Sequence, residues 1–132
     1  MDDRTEYFGG RARLWPLEPK QDARGVLLPF EFDRMPFVPR RVFVVADAPA
    51  GVARGGHAHR HGTQLLVCVQ GRIEVLMRCA GEDAVLELLP RASALLVGAG
   101  VWCRQTYAAS GSVLLVFASE DYDPASYLPG DG

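Results

Sequence analysis

Seven apolar runs, each no longer than nine residues, are separated by Gly, Pro, Asp and Ser, and this punctuation constrains the fold more than any other feature of the chain. The runs are GVLLPFEF (25–32), RRVFVVAD (40–47), TQLLVCVQG (63–71), RIEVLMRC (72–79), AVLELLP (84–90), SALLVGAG (93–100) and SVLLVFASE (112–120). Segments of this length, rich in Val, Leu and Phe and bounded by turn formers, read as strands rather than helices. Their regular spacing predicts an all-β sandwich or barrel. Helical periodicity is weak throughout, and only 121–128, DYDPASYL, is expected to form a final turn.

Some of these strands are apolar on both faces. In SVLLVFAS, Val113, Leu115 and Phe117 point one way and Leu114 and Val116 the other, because successive side chains leave opposite faces of a strand. Such a strand is covered twice, by the barrel interior and by another sheet or subunit. With 132 residues to supply both covers, a homodimer is the expectation, against a sandwich that closes over itself. Residues 1–20 carry Arg11, Arg13, Trp15 and Pro16 without clear alternation, and read as an arm or an edge strand.

The length and the 48% hydrophobic content suit one domain spanning 1–132. A net charge of −2 with dispersed basic residues predicts neither nucleic acid nor a membrane surface as partner. The acidic, polar N-terminus and the absence of a long apolar run make a cytoplasmic protein the expectation. Cys68, Cys79 and Cys103 are odd in number and widely spaced, so they are read as reduced thiols.

All three histidines fall within RGGHAHRHG, residues 54–62. On a strand, His57 and His59 leave the same face. His61 falls at the turn, where it is expected to be solvated. The pattern His-Ala-His, then Gln64, then Gly71 has the spacing of the first cupin motif, with Gln64 standing where a carboxylate would be; GAGVWC places Cys103 at the last ligand position of the second. A neutral amide is a poor ligand for a divalent metal. His57, His59 and Cys103 could still form a three-ligand zinc site, but without metal the histidines have another use: with a pKa of about 6.5, imidazole takes and returns protons near neutrality. Hydrogen-bonded core or loop histidines are the third reading.

Taken together, DARGVLLPFEF, MPFVPRRVF, RGGHAHRHGTQLLVCVQG, LLVGAGVW and LLVFASEDYDPASYL resemble, in order from Asp22 to Leu128, the WxcM-like cupin 3,4-ketoisomerases of nucleotide-linked 4-keto-6-deoxyhexoses. The resemblance implies a jelly-roll barrel, a dimer with exchanged N-terminal strands, a dTDP-sugar as ligand, and no required cofactor or metal. It implies proton transfer through an enediolate, with His57 as base and His59 assisting.

Among substrate-binding candidates, Arg41 would stabilise the enediolate oxygen or hold a phosphate, unless it is a surface arginine like Arg40; Arg54 is the alternative. Gln64 would bind a sugar hydroxyl or fix a histidine tautomer, and Trp102 would wall the sugar or base unless it is core. Tyr122 and Tyr127 are expected to pack the C-terminal segment. The family's pattern is broken at two positions. Val44 stands in place of a tyrosine associated with the active site, and Cys103 in place of a histidine, where it would contact substrate or carry a proton if its pKa were lowered. A keto-sugar epimerase, a non-catalytic sugar-nucleotide-binding cupin and a metal-dependent dioxygenase are the competing functions.

Overall fold

A computed structural model describes residues 4–130; residues 1–3, the acidic start of the proposed arm, and residues 131–132 lie outside the described part. Numbered along the chain, the strands are β1 (Glu6–Tyr7), β2 (Ala12–Pro16), β3 (Lys20–Asp22), β4 (Gly25–Leu27), β5 (Arg41–Val45), β6 (Val52–His57), β7 (Gln64–Gln70), β8 (Ile73–Cys79), β9 (Glu82–Leu88), β10 (Ser93–Val97), β11 (Trp102–Tyr107) and β12 (Val113–Ala118). They build a six-stranded sheet in the order β1-β2-β10-β7-β12-β5, a four-stranded sheet in the order β6-β11-β8-β9, and a separate β3-β4 ribbon. Every pairing is antiparallel, and the two large sheets form an all-β jelly-roll barrel. Among the described residues no helix is long and apolar enough to cross a membrane.

The alternation read from SVLLVFAS is realised in β12. Leu114 and Val116 join the barrel core with Leu66, Cys68, Val75 and Met77, while Phe117, with Leu115 against it, belongs to a second cluster outside the six-stranded sheet. That outer cluster, built on Leu65, Val67, Ala94 and Leu96, is covered by Leu17, Leu28, Phe30, Met35 and Phe37 of the same chain. The Phe30 and Phe117 rings lie 4.7 Å apart. The premise that so short a chain could not supply its second cover is therefore corrected: the segment between β2 and β5 does so. Its cover stops short of the β5 edge, where Val42 and Val44 stay 49% and 58% exposed.

The run at 25–32 was expected to be one strand, but only Gly25–Leu27 pairs, in the ribbon. Pro29 has no amide hydrogen for a ladder, so the chain leaves the ribbon and its apolar residues become cover. The final turn is a 3-10 helix at Pro124–Ser126, and the Asp123 side chain accepts a hydrogen bond from the Ala125 amide at its start.

Candidate active site

One cavity of about 470 Å³ opens into the barrel between the two sheets. Its position follows from strand parity. On β5, Arg41, Phe43 and Val45 face it, while on β11 Cys103, Gln105 and Tyr107 do. Strand β6 needs a further device, because Arg54 and His57 are three residues apart and would leave opposite faces of a regular strand.

A bulge supplies it. Cys103 pairs with His57 and Arg104 with Gly55, so Gly56 is the extra residue, and Gly55 and Gly56 both have positive φ, 82° and 83°. A Cβ on Gly55 would come within 3.1 Å of the Cys103 carbonyl oxygen, so the glycine pair permits both the backbone conformation and the close approach. The bulge turns Arg54 and His57 into the same cavity.

His57, the last residue of β6, and His59, two residues on, both line the cavity. They differ in environment: His57 is exposed at the mouth, whereas His59 is half-buried. Burial lowers the pKa of His59, and the neighbouring charges of His57, Arg41 and His61 lower it further, so its neutral form is favoured. His61 is exposed, as expected for a turn residue, yet it borders the same cavity.

Arg41 faces inward. Its guanidinium lies over the rings of Phe43 and Tyr122, at 4.8 and 5.3 Å from their centroids, and its buried Nε has no hydrogen-bond partner among the described residues. Arg40, one residue earlier, points out and pairs with Asp121 at 3.2 Å. Gln64, at the start of β7, lines the cavity and is half-buried.

Three sequence expectations are corrected. Trp102 does not face the cavity: the alternation of β11 sends it outward, where it is buried with its ring 5.1 and 5.9 Å from the Arg78 and Arg104 guanidinium carbons. Val44 likewise sits on the outer face of β5, so it removes no hydroxyl from the cavity; the inward position is its neighbour Phe43. Cys103 is in the cavity wall, but burial pushes its thiol up to about 12, against a hydrogen bond accepted from Gln105 Nε2 at 3.1 Å. A thiol so held is protonated at neutral pH, which suits neither a proton carrier nor a zinc thiolate. Among the described residues no group of three His, Cys, Asp or Glu side chains is arranged to hold a metal ion, the set His57, His59 and Cys103 included.

Sequence reasoning missed Tyr127, Gln105 and Tyr107. Tyr127, read as packing, stacks on His57 with ring centroids 4.4 Å apart and meets His59 edge-on at 5.0 Å. Gln105 and Tyr107 were legible only through β11, whose mixed composition did not announce a strand. Of the four buried side-chain polar atoms without a partner among the described residues, Arg41 Nε, Tyr107 Oη and Ser126 Oγ belong to residues lining this cavity. Leaving such groups unpaired costs about 1–3 kcal/mol each, so their concentration here suits a polar ligand that would pair them.

Residues 11–130 match the protein family described as FdtA: WxcM-like, C-terminal. Over 108 residues the chain is 33% identical to the TDP-4-oxo-6-deoxy-alpha-D-glucose-3,4-oxoisomerase of Aneurinibacillus thermoaerophilus, a match covering 81% of this chain and 78% of that one. Its fold is similar to a crystal structure of a histidine-to-asparagine mutant of the 3,4-ketoisomerase QdtA from Thermoanaerobacterium thermosaccharolyticum in complex with TDP-4-keto-6-deoxyglucose. The TM-score is 0.85 at 29% identity, over 89% of this chain and 86% of that one. The TDP-quinovose 3,4-ketoisomerase WlaRB of Campylobacter jejuni gives a TM-score of 0.82 at 28% identity, over 89% and 91% of the two chains.

Proposed function

The chain belongs to the FdtA family, WxcM-like, C-terminal, and from that membership we propose that it is a sugar 3,4-ketoisomerase, moving the keto group of a dTDP-linked 4-keto-6-deoxyhexose from C4 to C3. The observation that carries this reading is the meeting, around one cavity, of two imidazoles with polar groups of Arg41, Tyr107 and Ser126 that have no hydrogen-bond partner among the described residues. The first can move protons, and the second can bind hydroxyls.

The reaction balances within the substrate. A base takes the proton from C3, the electron pair becomes the C3–C4 double bond, and the C4 oxygen takes the charge. A proton passes from the C3 oxygen to the C4 oxygen, the protonated base, in exchange with solvent, gives a proton to C4, and the C3 oxygen closes to a ketone. One carbon is oxidised as its neighbour is reduced, so no external oxidant or cofactor enters.

Either imidazole can accept the proton, but burial favours His59 as the base: it is the shielded one, and its surroundings keep it neutral. This exchanges the roles expected from the sequence, and His57 becomes the partner that relays protons between oxygens. Arg41 stabilises the enediolate charge, Arg54 and Gln64 bind the sugar nucleotide, and Cys103 forms wall.

As part of the same reading the protein is a cytoplasmic homodimer with exchanged N-terminal strands. The uncovered Val42 and Val44 favour a second copy, and β1 and β2 form the sheet edge, joined to the rest of the sheet through the β2–β10 pairing alone, so exchange replaces that one pairing by its equivalent in the other copy. A nucleotide diphosphate sugar is too polar to cross a membrane unaided, which supports an enzyme in the compartment where the sugar nucleotide is made. Mixed with dTDP-4-keto-6-deoxyglucose, the protein should yield the 3-keto isomer by nuclear magnetic resonance (NMR); unchanged substrate would overturn the assignment.

A further inference from the structure

The C-terminal segment is tied to the histidine turn more closely than a packing role requires. His59 and Tyr127 form an isolated antiparallel bridge. The Arg60 amide donates to the Ser126 carbonyl at 2.7 Å, and the Leu128 amide to the Ala58 carbonyl at 2.8 Å. On its other side the turn is held by the Gly100 amide, which donates to the His59 carbonyl at 2.9 Å. Backbone bonds thus register Tyr127 against both imidazoles, with its ring 12° from parallel to His57 and 68° from parallel to His59. Tyr122 in turn meets Tyr127 edge-on at 6.5 Å and lies beneath the Arg41 guanidinium.

We propose that Tyr127 is the positioning residue of the histidine pair: its ring, carried on a strap that the turn itself anchors, sets the orientation of the His57 and His59 imidazoles toward the cavity. An imidazole at a strand end has two free side-chain torsions, and proton transfer to or from carbon tolerates little misplacement. Flat contact against one ring and edge contact against the other restrict both torsions at once. Arg41 from β5 and His61 from the turn act on the charge of His59, whereas Tyr127 is the ring in contact with both imidazoles. The inference rests on the pair being the proton-transfer groups, while the ring geometry is measurable without turnover.

The chain has only three histidines, so their ring signals can be followed individually by NMR. In the wild-type protein, His57 ring protons are shifted upfield by the Tyr127 face. Y127F keeps that shift and most of kcat on dTDP-4-keto-6-deoxyglucose. Y127L loses the shift, moves the His59 titration upward as water enters, and lowers kcat by about tenfold to a hundredfold with KM within about threefold.

An unchanged His57 shift and unchanged turnover in Y127L would overturn the proposal. So would Y127F losing as much kcat as Y127L, because the hydroxyl rather than the ring would then matter. If Y127L does not fold, Y127W and Y127F decide it: a retained ring shift with retained kcat supports the proposal, and a retained shift with lost kcat overturns it. Should even the wild type fail to turn over the sugar nucleotide, the isomerase assignment falls. The ring shifts and His59 titration still decide whether Tyr127 orients the pair.

Discussion

Gln105 Nε2 donates to Cys103 Sγ at 3.1 Å on the inner face of β11, and the thiol it meets is pushed up to about 12 by burial. The cysteine is therefore a neutral wall group of the cavity, although it stands beside two histidines. Cys103→Ser should keep kcat within about threefold, since the hydroxyl can accept the same hydrogen bond. Iodoacetamide at pH 8 should leave Cys103 of the folded protein unmodified by mass spectrometry. Rapid alkylation, or loss of turnover in the serine variant, would make the thiol a participant.

The pH profile follows from His59. A base must be neutral to act, and burial together with the charges of His57, Arg41 and His61 lowers the His59 pKa below its ordinary 6.5. The acidic limb of kcat/KM is thus expected below pH 6.5, activity falling as pH drops through the lowered pKa. Arg41→Gln removes one of the opposing charges, so the limb should move toward higher pH as the rate falls. A limb above pH 6.5 in the wild type, or one displaced downward in the variant, would contradict this account.

Tyr107 is fully buried, and its hydroxyl has no hydrogen-bond partner among the described residues. Burial raises its pKa, partly opposed by Arg54, so it serves as a neutral hydrogen-bonding group. Tyr107→Phe removes an unsatisfied group that costs about 1–3 kcal/mol, so the unliganded protein should keep or raise its Tm. By calorimetry, dTDP-sugar affinity should fall severalfold. A large drop in Tm would show that the hydroxyl is already satisfied within the fold.

Gly71, which the sequence singles out after Gln64, closes the β7–β8 turn at φ 82°. A Cβ there would sit 2.7 Å from Ser112 Cα, and Ser112 is fully buried with its Oγ donating to the Ala109 carbonyl at 2.8 Å. Left-handed backbone costs an alanine about 1–2 kcal/mol and overpacking about 1–3 more. Gly71→Ala should lower Tm by roughly 10 °C or more, read by thermal denaturation. A shift of a degree or two would mean that the turn relaxes freely.

Much of the barrel could be read from the chain. Strand β12 shows its two faces in the alternation of Leu114 and Val116 with Leu115 and Phe117, and the spacing of His57 and His59 puts both in the cavity. What escaped the sequence did so for definable reasons. Period-two reasoning separates Arg54 from His57 until the bulge at Gly55 and Gly56 is known. Parity decides Val44 and Trp102, and a one-residue difference in strand phase turns each away from the cavity. Tyr127 meets the histidines through a bridge from a segment almost seventy positions along the chain, a contact that no local pattern encodes. The second cover failed as an argument for a dimer because the residues at 17–37 lack alternation, although their aromatic and aliphatic side chains fill that role.

Isotope exchange reports proton transfer by the histidine pair at the reacting carbon itself. With dTDP-4-keto-6-deoxyglucose in deuterated water, the wild-type protein should place deuterium at C4 of the 3-keto product. His59→Asn should abolish the incorporation, and His57→Asn should slow it by about a hundredfold or more. No deuterium in the wild-type product, or incorporation undiminished in both variants, would contradict the account.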